Sequence, residues 1–298
     1  MSQFDYKLLQ ALETVVRTQS FEKAAELLFI SQSAVSQRIK LLEENVGKPV
    51  LIRTQPLRLT ADGESLVAHY NQVIQLEKNL NIFEQSSDTS LVTISIATNA
   101  DSLATWLIPA LKPAVISGNI ELNLIVAGEN LTIDKLKSGE AFGAISTQKH
   151  PIKGCTVDLI GQMNYILVCS PNFAERYFPN GITRSNLKKA PALAFDHTDN
   201  MHVDFLKNKF GLNEGDYPLH AVRSSEAFVT MSLEGLGYSL IPDLQVANQL
   251  ESKTLIRLMP DFCIQEPLYW HRWLLLKGTH KQLSESLLSA GQKYLKAT

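Results

Sequence analysis

Phe21-Glu-Lys-Ala-Ala-Glu-Leu-Leu-Phe-Ile-Ser-Gln-Ser-Ala-Val-Ser-Gln-Arg-Ile-Lys-Leu-Leu-Glu-Glu44 is the stretch whose reading decides the fold. Ser20 precedes a first helix over Phe21–Phe29, and Glu22 and Glu26 stand in its early turns, where acidic side chains suit the helix dipole. Ser31 is a good N-cap for a second helix, which runs through Val35, Ile39 and Leu42 to Val46 before Gly47 stops it. Ala24-Ala25 supplies small side chains where the two helices must approach, and Leu28 and Ile30 turn inward beneath the join. This is a helix-turn-helix layout. Its second helix offers Gln32, Ser33, Ser36, Gln37, Arg38 and Lys40 to a DNA major groove and its phosphates.

Upstream, Tyr6, Leu8, Leu9, Leu12, Val15 and Val16 recur at helical spacing. Downstream, Val50-Leu-Ile52 and Leu57-Arg-Leu59 flank the turn Arg53-Thr-Gln-Pro56 and predict a small hairpin, or wing. Base readout fits Gln32, Ser33, Ser36 and Gln37, because glutamine pairs bidentately with adenine and serine accepts either partner. Arg38, Lys40, Arg53 and Arg58 fit phosphate contacts. From Ala61 to about Phe83, Leu66, Tyr70, Val73, Leu76, Leu80 and Phe83 alternate in steps of three and four, close to a coiled-coil seam and so to a dimerisation helix. The alternative is a helix packed on its own domain. The small polar run Gln85–Ser90 reads as a hinge.

Beyond the hinge the pattern changes. Val92, Ile94 and Ile96 alternate with polar residues, as do Ile120, Leu122, Leu124 and Val126, which marks strands. Further strands are expected at Phe142–Ser146, Tyr165–Cys169, Ala192–Phe195, Ala221–Arg223, Tyr238–Ile241, Leu255–Leu258 and Leu268–Leu276. Helices are expected between them, including Asp199–Phe210, Ser225–Gly235 and Lys281–Lys296. Alternating strands and helices predict mostly parallel α/β sheets, as one domain or as two sharing a cleft.

Of 298 residues, 45% are hydrophobic and 19% charged, which excludes a disordered or fibrous chain. No apolar run approaches the ~18 residues of a membrane span. Met1-Ser-Gln-Phe-Asp-Tyr-Lys7 has no secretory pattern, and the three cysteines lie far apart, so a reducing cytoplasm is expected and a membrane partner is not. The formal charge of −2 argues against nucleic acid until it is divided. Residues 31–60 carry five basic and two acidic side chains, which places the positive charge on the helix-turn-helix and wing.

The series Ser20-Phe21, Ala24-Ala25, Leu28, Ser31-Gln-Ser-Ala-Val-Ser36, Ile39, Leu42-Glu43, Gly47, Leu51, Arg53 and Leu59-Thr-Ala-Asp-Gly63 resembles the N-terminal signature of the LysR-type transcriptional regulators. Ile52 departs from it, since the family more often has Phe there, a volume change expected in an apolar site. The resemblance covers the whole chain. It implies a winged helix-turn-helix over 1–60, a linker helix and hinge over 61–87, and an effector domain over 88–298. That domain would hold two subdomains of periplasmic-binding-protein-like fold, about 91–161 with 267–298 and about 162–266. It also implies promoter DNA and RNA polymerase as partners, a dimer or dimer of dimers, and no cofactor beyond an effector.

Asn99-Ala-Asp-Ser-Leu-Ala-Thr-Trp106, Gly143-Ala-Ile-Ser146, Phe173–Gly181, Phe195-Asp-His-Thr-Asp-Asn-Met-His202, Ser224-Ser-Glu-Ala-Phe-Val229 and Tyr269-Trp-His-Arg272 are similar to a narrower group. Its members are LysR-type regulators responsive to lysine and arginine, also described as inhibitors of chromosome replication initiation. Their resemblance implies control of basic-amino-acid transport or lysine supply genes. A basic amino acid needs donors for its carboxylate and carboxylates for its cations. Ser102, Ser224 and Ser225 sit where helices open, and Asn99 and Ser146 end strands. Asp101, Asp196, Glu226, Glu129 and Asp199 are the candidate cation partners. Asp101, Ser102, Asp199 and Ser225 can equally be plain N-caps, and Ser146 can merely satisfy a strand end.

His197 and His202 beside Asp196 lack the further ligands a metal site needs, so no metal is expected. No Gly-x-Ser-x-Gly elbow accompanies the Asp, Ser and His residues, so catalysis is not expected either. Trp270, His271, Arg272 and Trp273 are expected to pack between the subdomains. Four readings compete with a basic-amino-acid regulator: a different effector, a ligand-independent origin- or chromosome-binding protein, a solute-binding protein or enzyme that merely uses the α/β fold, and a redox sensor. Residues 1–60 oppose the third, and no cysteine has the activating basic cluster the fourth needs.

Overall fold

The computed structural model describes residues 5–78, 91–128, 131–195, 200–274, 276 and 278–295. Three helices open the chain, α1 (Tyr6–Thr18), α2 (Phe21–Leu28) and α3 (Gln32–Val46), each capped by the residue its sequence offers. Asp5, Ser20 and Ser31 accept from backbone N–H groups of their first turns, and Gly47 closes α3 at φ +74°. Leu9, Leu12, Val15, Ala24, Ala25, Val35, Ile39 and Leu42 form one buried core, with Leu28 and Ile30 packed at its edge. The wing strands β1 (Leu51–Ile52) and β2 (Arg58–Leu59) pair antiparallel. Ile52 is exposed on the wing, so the apolar site expected there is not present.

α4 (Ala61–Lys78) follows directly. Thr60 fixes its start, its hydroxyl donating to the Pro49 carbonyl at 2.9 Å and accepting from Gly63 N–H at 3.2 Å. A Cβ at Gly63 would lie 2.1 Å from the Val50 carbonyl oxygen, so only glycine lets helix and wing meet so closely. Tyr70 is buried in the N-terminal core, with Leu66, Val67 and Ile74 packed against that core, so part of the proposed seam is spent inside its own domain. The Leu76 side chain, Leu80, Phe83 and the hinge Gln85–Ser90 lie outside what is described.

The remainder forms two α/β lobes. The first starts with β3 (Val92–Thr98), then α5 (Ala100–Ser102), which runs through one π-helical turn (Leu103–Leu107) into α6 (Ile108–Ser117). β4 (Ile120–Val126), α7 (Thr132–Lys137) and β5 (Gly143–Ser146) follow. The long β6 (Cys155–Cys169) crosses into the second lobe, made of α8 (Pro171–Tyr177), α9 (Arg184–Leu187), β7 (Ala192–Ala194), α10 (Asn200–Phe210), β8 (Leu219–Ala221), α11 (Ser225–Leu233), β9 (Ser239–Pro242), a 3-10 turn (Asp243–Gln245), α12 (Ala247–Glu251) and β10 (Ile256–Arg257). β11 (Ile264–Trp273) returns to the first lobe, and α13 (Gly278–Tyr294) closes it.

The main sheet is mixed, which corrects the expected mostly parallel one. β3 pairs parallel with β4 and β5, but β11 runs antiparallel to β5 and β6, and β9 and β10 antiparallel to β6. β7 and β8 pair parallel. The reason is the double crossover. The chain leaves the first lobe along β6 and comes back beside it along β11, and two adjacent strands running out and back are antiparallel.

β6 and β11 also begin earlier than expected, and β8 ends where a strand was expected to start. In the second lobe Leu167 and Cys169 enter one core while Ile166 and Val168 enter the opposite one, as strand alternation requires. Trp270 lies in the first lobe's own core with Trp106, Leu283 and Leu287, and its Nε1 donates to Ser284 Oγ at 2.7 Å. His271 donates from Nε2 to the Gln148 carbonyl, and Arg272 pairs with Asp158. These residues therefore do not pack between the lobes. Gly143 gives the reason, because its bare Cα leaves room for the Trp270 ring that a Cβ would strike at 2.1 Å. Among the described residues no helix is long and apolar enough to cross a membrane.

Candidate functional site

The surface expected to face DNA is built by α3 and the wing. Burial of Val35, Ile39 and Leu42 turns Gln32, Ser33, Gln37 and Lys40 out to full exposure and leaves Ser36 and Arg38 half-exposed. Ser31 is a helix cap first, accepting from Ala34 N–H at 3.2 Å, and its hydroxyl also lies 2.9 Å from that of Ser33. Two weak contacts flank Arg53. Its guanidinium stands 5.8 Å from the Phe21 ring centroid and 3.9 Å from the Glu43 carboxylate. Glu43 in turn accepts from Val50 N–H at 3.1 Å, so recognition helix and wing share one carboxylate. Arg58 is exposed on β2, while Lys40 stands 3.8 Å from Glu44, an exposed pair worth little.

A second set of residues gathers where the lobes meet. Asn99 caps α5, accepting from Ser102 N–H at 3.2 Å, and Ser224 caps α11, accepting from Ala227 N–H at 3.2 Å. The caps expected at Asp101, Ser102 and Ser225 are thus one to three residues out of place. The Asp101 and Ser225 side chains are not the caps, and they meet across the lobes with Ser225 Oγ donating to Asp101 Oδ1 at 2.5 Å. Tyr165 OH donates to the other carboxylate oxygen at 2.8 Å, and Gln245 Oε1 lies 3.0 Å from Ser225 Oγ. Asp101 is half-buried, whereas Tyr165 and Ser225 are almost wholly buried.

The buried Ser102 Oγ, on the residue next to Asp101, has no hydrogen-bond partner among the described residues, and neither does Asn164 Oδ1 on β6. An orphan hydroxyl in a closed site costs free energy unless something else satisfies it.

The other proposed effector residues divide. Ser146 is buried at the end of β5 and spends its hydroxyl on a local turn, accepting from Gln148 N–H at 3.2 Å. Glu226 is exposed and folds back to accept from the Ser224 hydroxyl at 3.1 Å, so it does not join Asp101. Glu129, Asp196 and Asp199 lie outside the described residues, as does His197. Tyr165 and Gln245 escaped the sequence reading. For Tyr165 the signal was a phenol within an apolar strand run, since a buried hydroxyl needs a partner; Gln245 carried no such signal.

Two family models match the chain: the bacterial regulatory helix-turn-helix protein, lysR family, over residues 6–64, and the LysR substrate binding domain over residues 93–285. The chain is 51% identical to the HTH-type transcriptional regulator ArgP of Aeromonas salmonicida, over 99% of both chains. Among solved structures it is similar to ArgP from Mycobacterium tuberculosis, with a TM-score of 0.87 and 31% identity over 99% of this chain and 100% of that one. It is also similar to the full-length regulator LysG from Corynebacterium glutamicum with bound effector Arg, with a TM-score of 0.79 and 31% identity over 98% of this chain and 100% of that one. With a capped recognition helix and wing at one end and two α/β lobes at the other, the chain belongs to the LysR family of DNA-binding transcriptional regulators, which are not enzymes.

Proposed function

We propose that this regulator responds to lysine or arginine, bound between the two lobes, by changing how its DNA-binding domains sit on promoter half-sites. The observation that carries the reading is the Asp101 carboxylate, half-buried at the lobe junction and held by two hydroxyls, beside the orphan hydroxyl of Ser102. A carboxylate in that setting favours a ligand ammonium or guanidinium, which gains more there than in water. The arginine bound to the similar LysG structure supports the same ligand class.

In this reading Asp101 takes a cation, with Glu129, Asp196 and Asp199 as further acidic groups, while Glu226 stays folded back on the Ser224 hydroxyl. Asn99, Ser102, Ser146, Ser224 and Ser225 supply polar contacts, and Tyr165 and Gln245 join them. Gln32, Ser33, Ser36 and Gln37 read bases, Ser31 caps the helix at the same DNA-binding surface, and Arg38, Lys40, Arg53 and Arg58 hold phosphates.

The division of the chain follows as 1–60 for DNA binding, 61–87 for linker and hinge, and 88–298 for the effector. The protein acts in the cytoplasm as a dimer or dimer of dimers, with RNA polymerase as its partner at promoters of basic-amino-acid transport or lysine supply genes. An effector switches nothing unless it binds the two arrangements unequally. Calorimetry with lysine and with arginine, on the native chain and on Asp101→Ala, tests the reading. Saturable heat from the native chain that Asp101→Ala loses supports it, and no heat from either amino acid overturns it.

A further inference from the structure

One turn of α4 carries two contacts that point in different directions. His69 Nε2 lies 3.3 Å from Tyr6 OH, and Tyr70 is buried in the N-terminal core, so this turn is fixed to the DNA-binding domain. Ala68 and Asn71, on the same turn, meet the first lobe. Asn71 Nδ2 donates to the Ser138 carbonyl at 3.0 Å. Gly139, at φ +73°, comes so close that a Cβ there would stand 2.6 Å from Asn71 Cβ and 3.4 Å from the Ala68 carbonyl oxygen.

Ser138 and Gly139 end α7. That helix packs Ile133 and Leu136 against Ala97 of β3 and Ala144 of β5. The same two strands lead into Asn99 and Asp101 and end at Ser146. α7 is thus a strut, with the effector-site strands along its side and the linker helix at its C-terminal end. Close packing makes such a strut shift as a body rather than yield.

We propose that the Ser138–Gly139 turn, seated on Ala68 and Asn71, is the contact through which the effector domain positions α4 and with it the DNA-binding domain. Gly139 and Asn71 are positioning residues that touch neither DNA nor effector. Coupling requires an element that both sites bias, and α4 is held by both domains within a single turn. The inference rests on the effector response proposed above.

Two variants test it in the full chain. Gly139→Asn adds a Cβ at the contact while tolerating the left-handed backbone, and Asn71→Ala removes the amide that donates to Ser138 while keeping the Cβ. Three quantities are measured for the native chain and both variants: calorimetric affinity for lysine and arginine, affinity for a DNA fragment selected by the native chain from a random pool, and hydrogen exchange across α4 with and without each amino acid. Effector affinity should stay within about twofold, because neither side chain contacts a proposed effector residue. The effector-induced change in DNA affinity, of the ~5–150-fold size typical of such coupling, should collapse toward unity together with the exchange response of α4.

A full DNA and α4 response in both variants overturns the inference while the effector reading stands. So does a native chain that binds effector with no change across α4. A native chain that binds neither amino acid overturns both.

Discussion

Asp101 shows how much a single position depends on its neighbours. The sequence marks a helix start there, but Asn99 does the capping, and the carboxylate is released to meet Ser225, 124 residues away. Residue type and local position were legible; the pairing was not, because it exists only when two lobes close on each other. Ser225→Ala should cost the ligand-free protein about 1.5–3 kcal/mol, the worth of a buried hydrogen bond to a charged group. Ser224→Ala should cost about 1 kcal/mol through its cap and leave Asp101 engaged. Thermal unfolding of both variants checks this, and equal losses would show that the bond across the lobes carries no extra weight. Gly143 is a second such position. A methyl group there meets the Trp270 ring at 2.1 Å, so Gly143→Ala should destabilise the first lobe by about 1–3 kcal/mol through overpacking, read from the same melts.

At the scale of elements, legibility follows how local the cause is. The recognition helix was readable to its caps, since Ser31, Gly47 and the buried Val35, Ile39 and Leu42 all lie within seventeen residues of one another. β6 was readable only over Tyr165–Cys169, where both faces are buried. Its first half, Cys155-Thr-Val-Asp-Leu-Ile-Gly-Gln162, mixes polar and apolar residues because that half is only partly covered. β11 was shifted for a related reason, as Glu266 and Pro267 obscure a strand that long antiparallel pairing with β6 sustains across a register shift at Leu268–Tyr269. The wing was legible as a hairpin, but the contact from Glu43 to Arg53 was not.

Arg58→Ala should lower the slope of log affinity against log salt by about 0.9 for each phosphate that the arginine neutralises, with sequence preference kept. Gln32→Ala should leave that slope in place and relax preference at one base pair by about 1–3 kcal/mol. Binding titrations across salt and across single-base variants of a selected site distinguish the two, and a preserved slope in Arg58→Ala would remove Arg58 from the phosphate-binding surface.

At the scale of the whole molecule, net charge conceals the division of labour. The chain sums to −2, yet residues 31–60 are basic and the rest is acidic, matching phosphate at one end and the proposed cationic effector at the other. Burial also shifts three titratable groups of β11 and α13, and each ties the stability of the folded chain to pH. Burial lowers the His280 imidazole below its ordinary 6.5, beside the Phe142 ring at 5.0 Å. Burial also lowers His271, against a smaller opposite effect of its bond to the Gln148 carbonyl. The unfolded chain takes up these protons near pH 6.5 and the folded chain only at lower pH. Their contribution to stability is therefore complete above about pH 6.5 and is lost as the pH falls below it, by up to about 1.4 kcal/mol per histidine for each unit of pKa difference.

Glu266 acts with the opposite sign. Burial raises its carboxyl above 4.5, so the unfolded chain loses that proton first, and the folded state loses stability as the pH rises from 4.5 through the folded value. The histidine limb should then dominate between pH 7 and 5.5, where melting temperature falls with pH. His280→Gln should flatten that fall, and Glu266→Gln should raise stability at pH 7 while leaving the histidine limb in place. Melting curves at half-unit pH intervals read both effects, and an unchanged slope in His280→Gln would mean that His280 carries no part of the acid sensitivity.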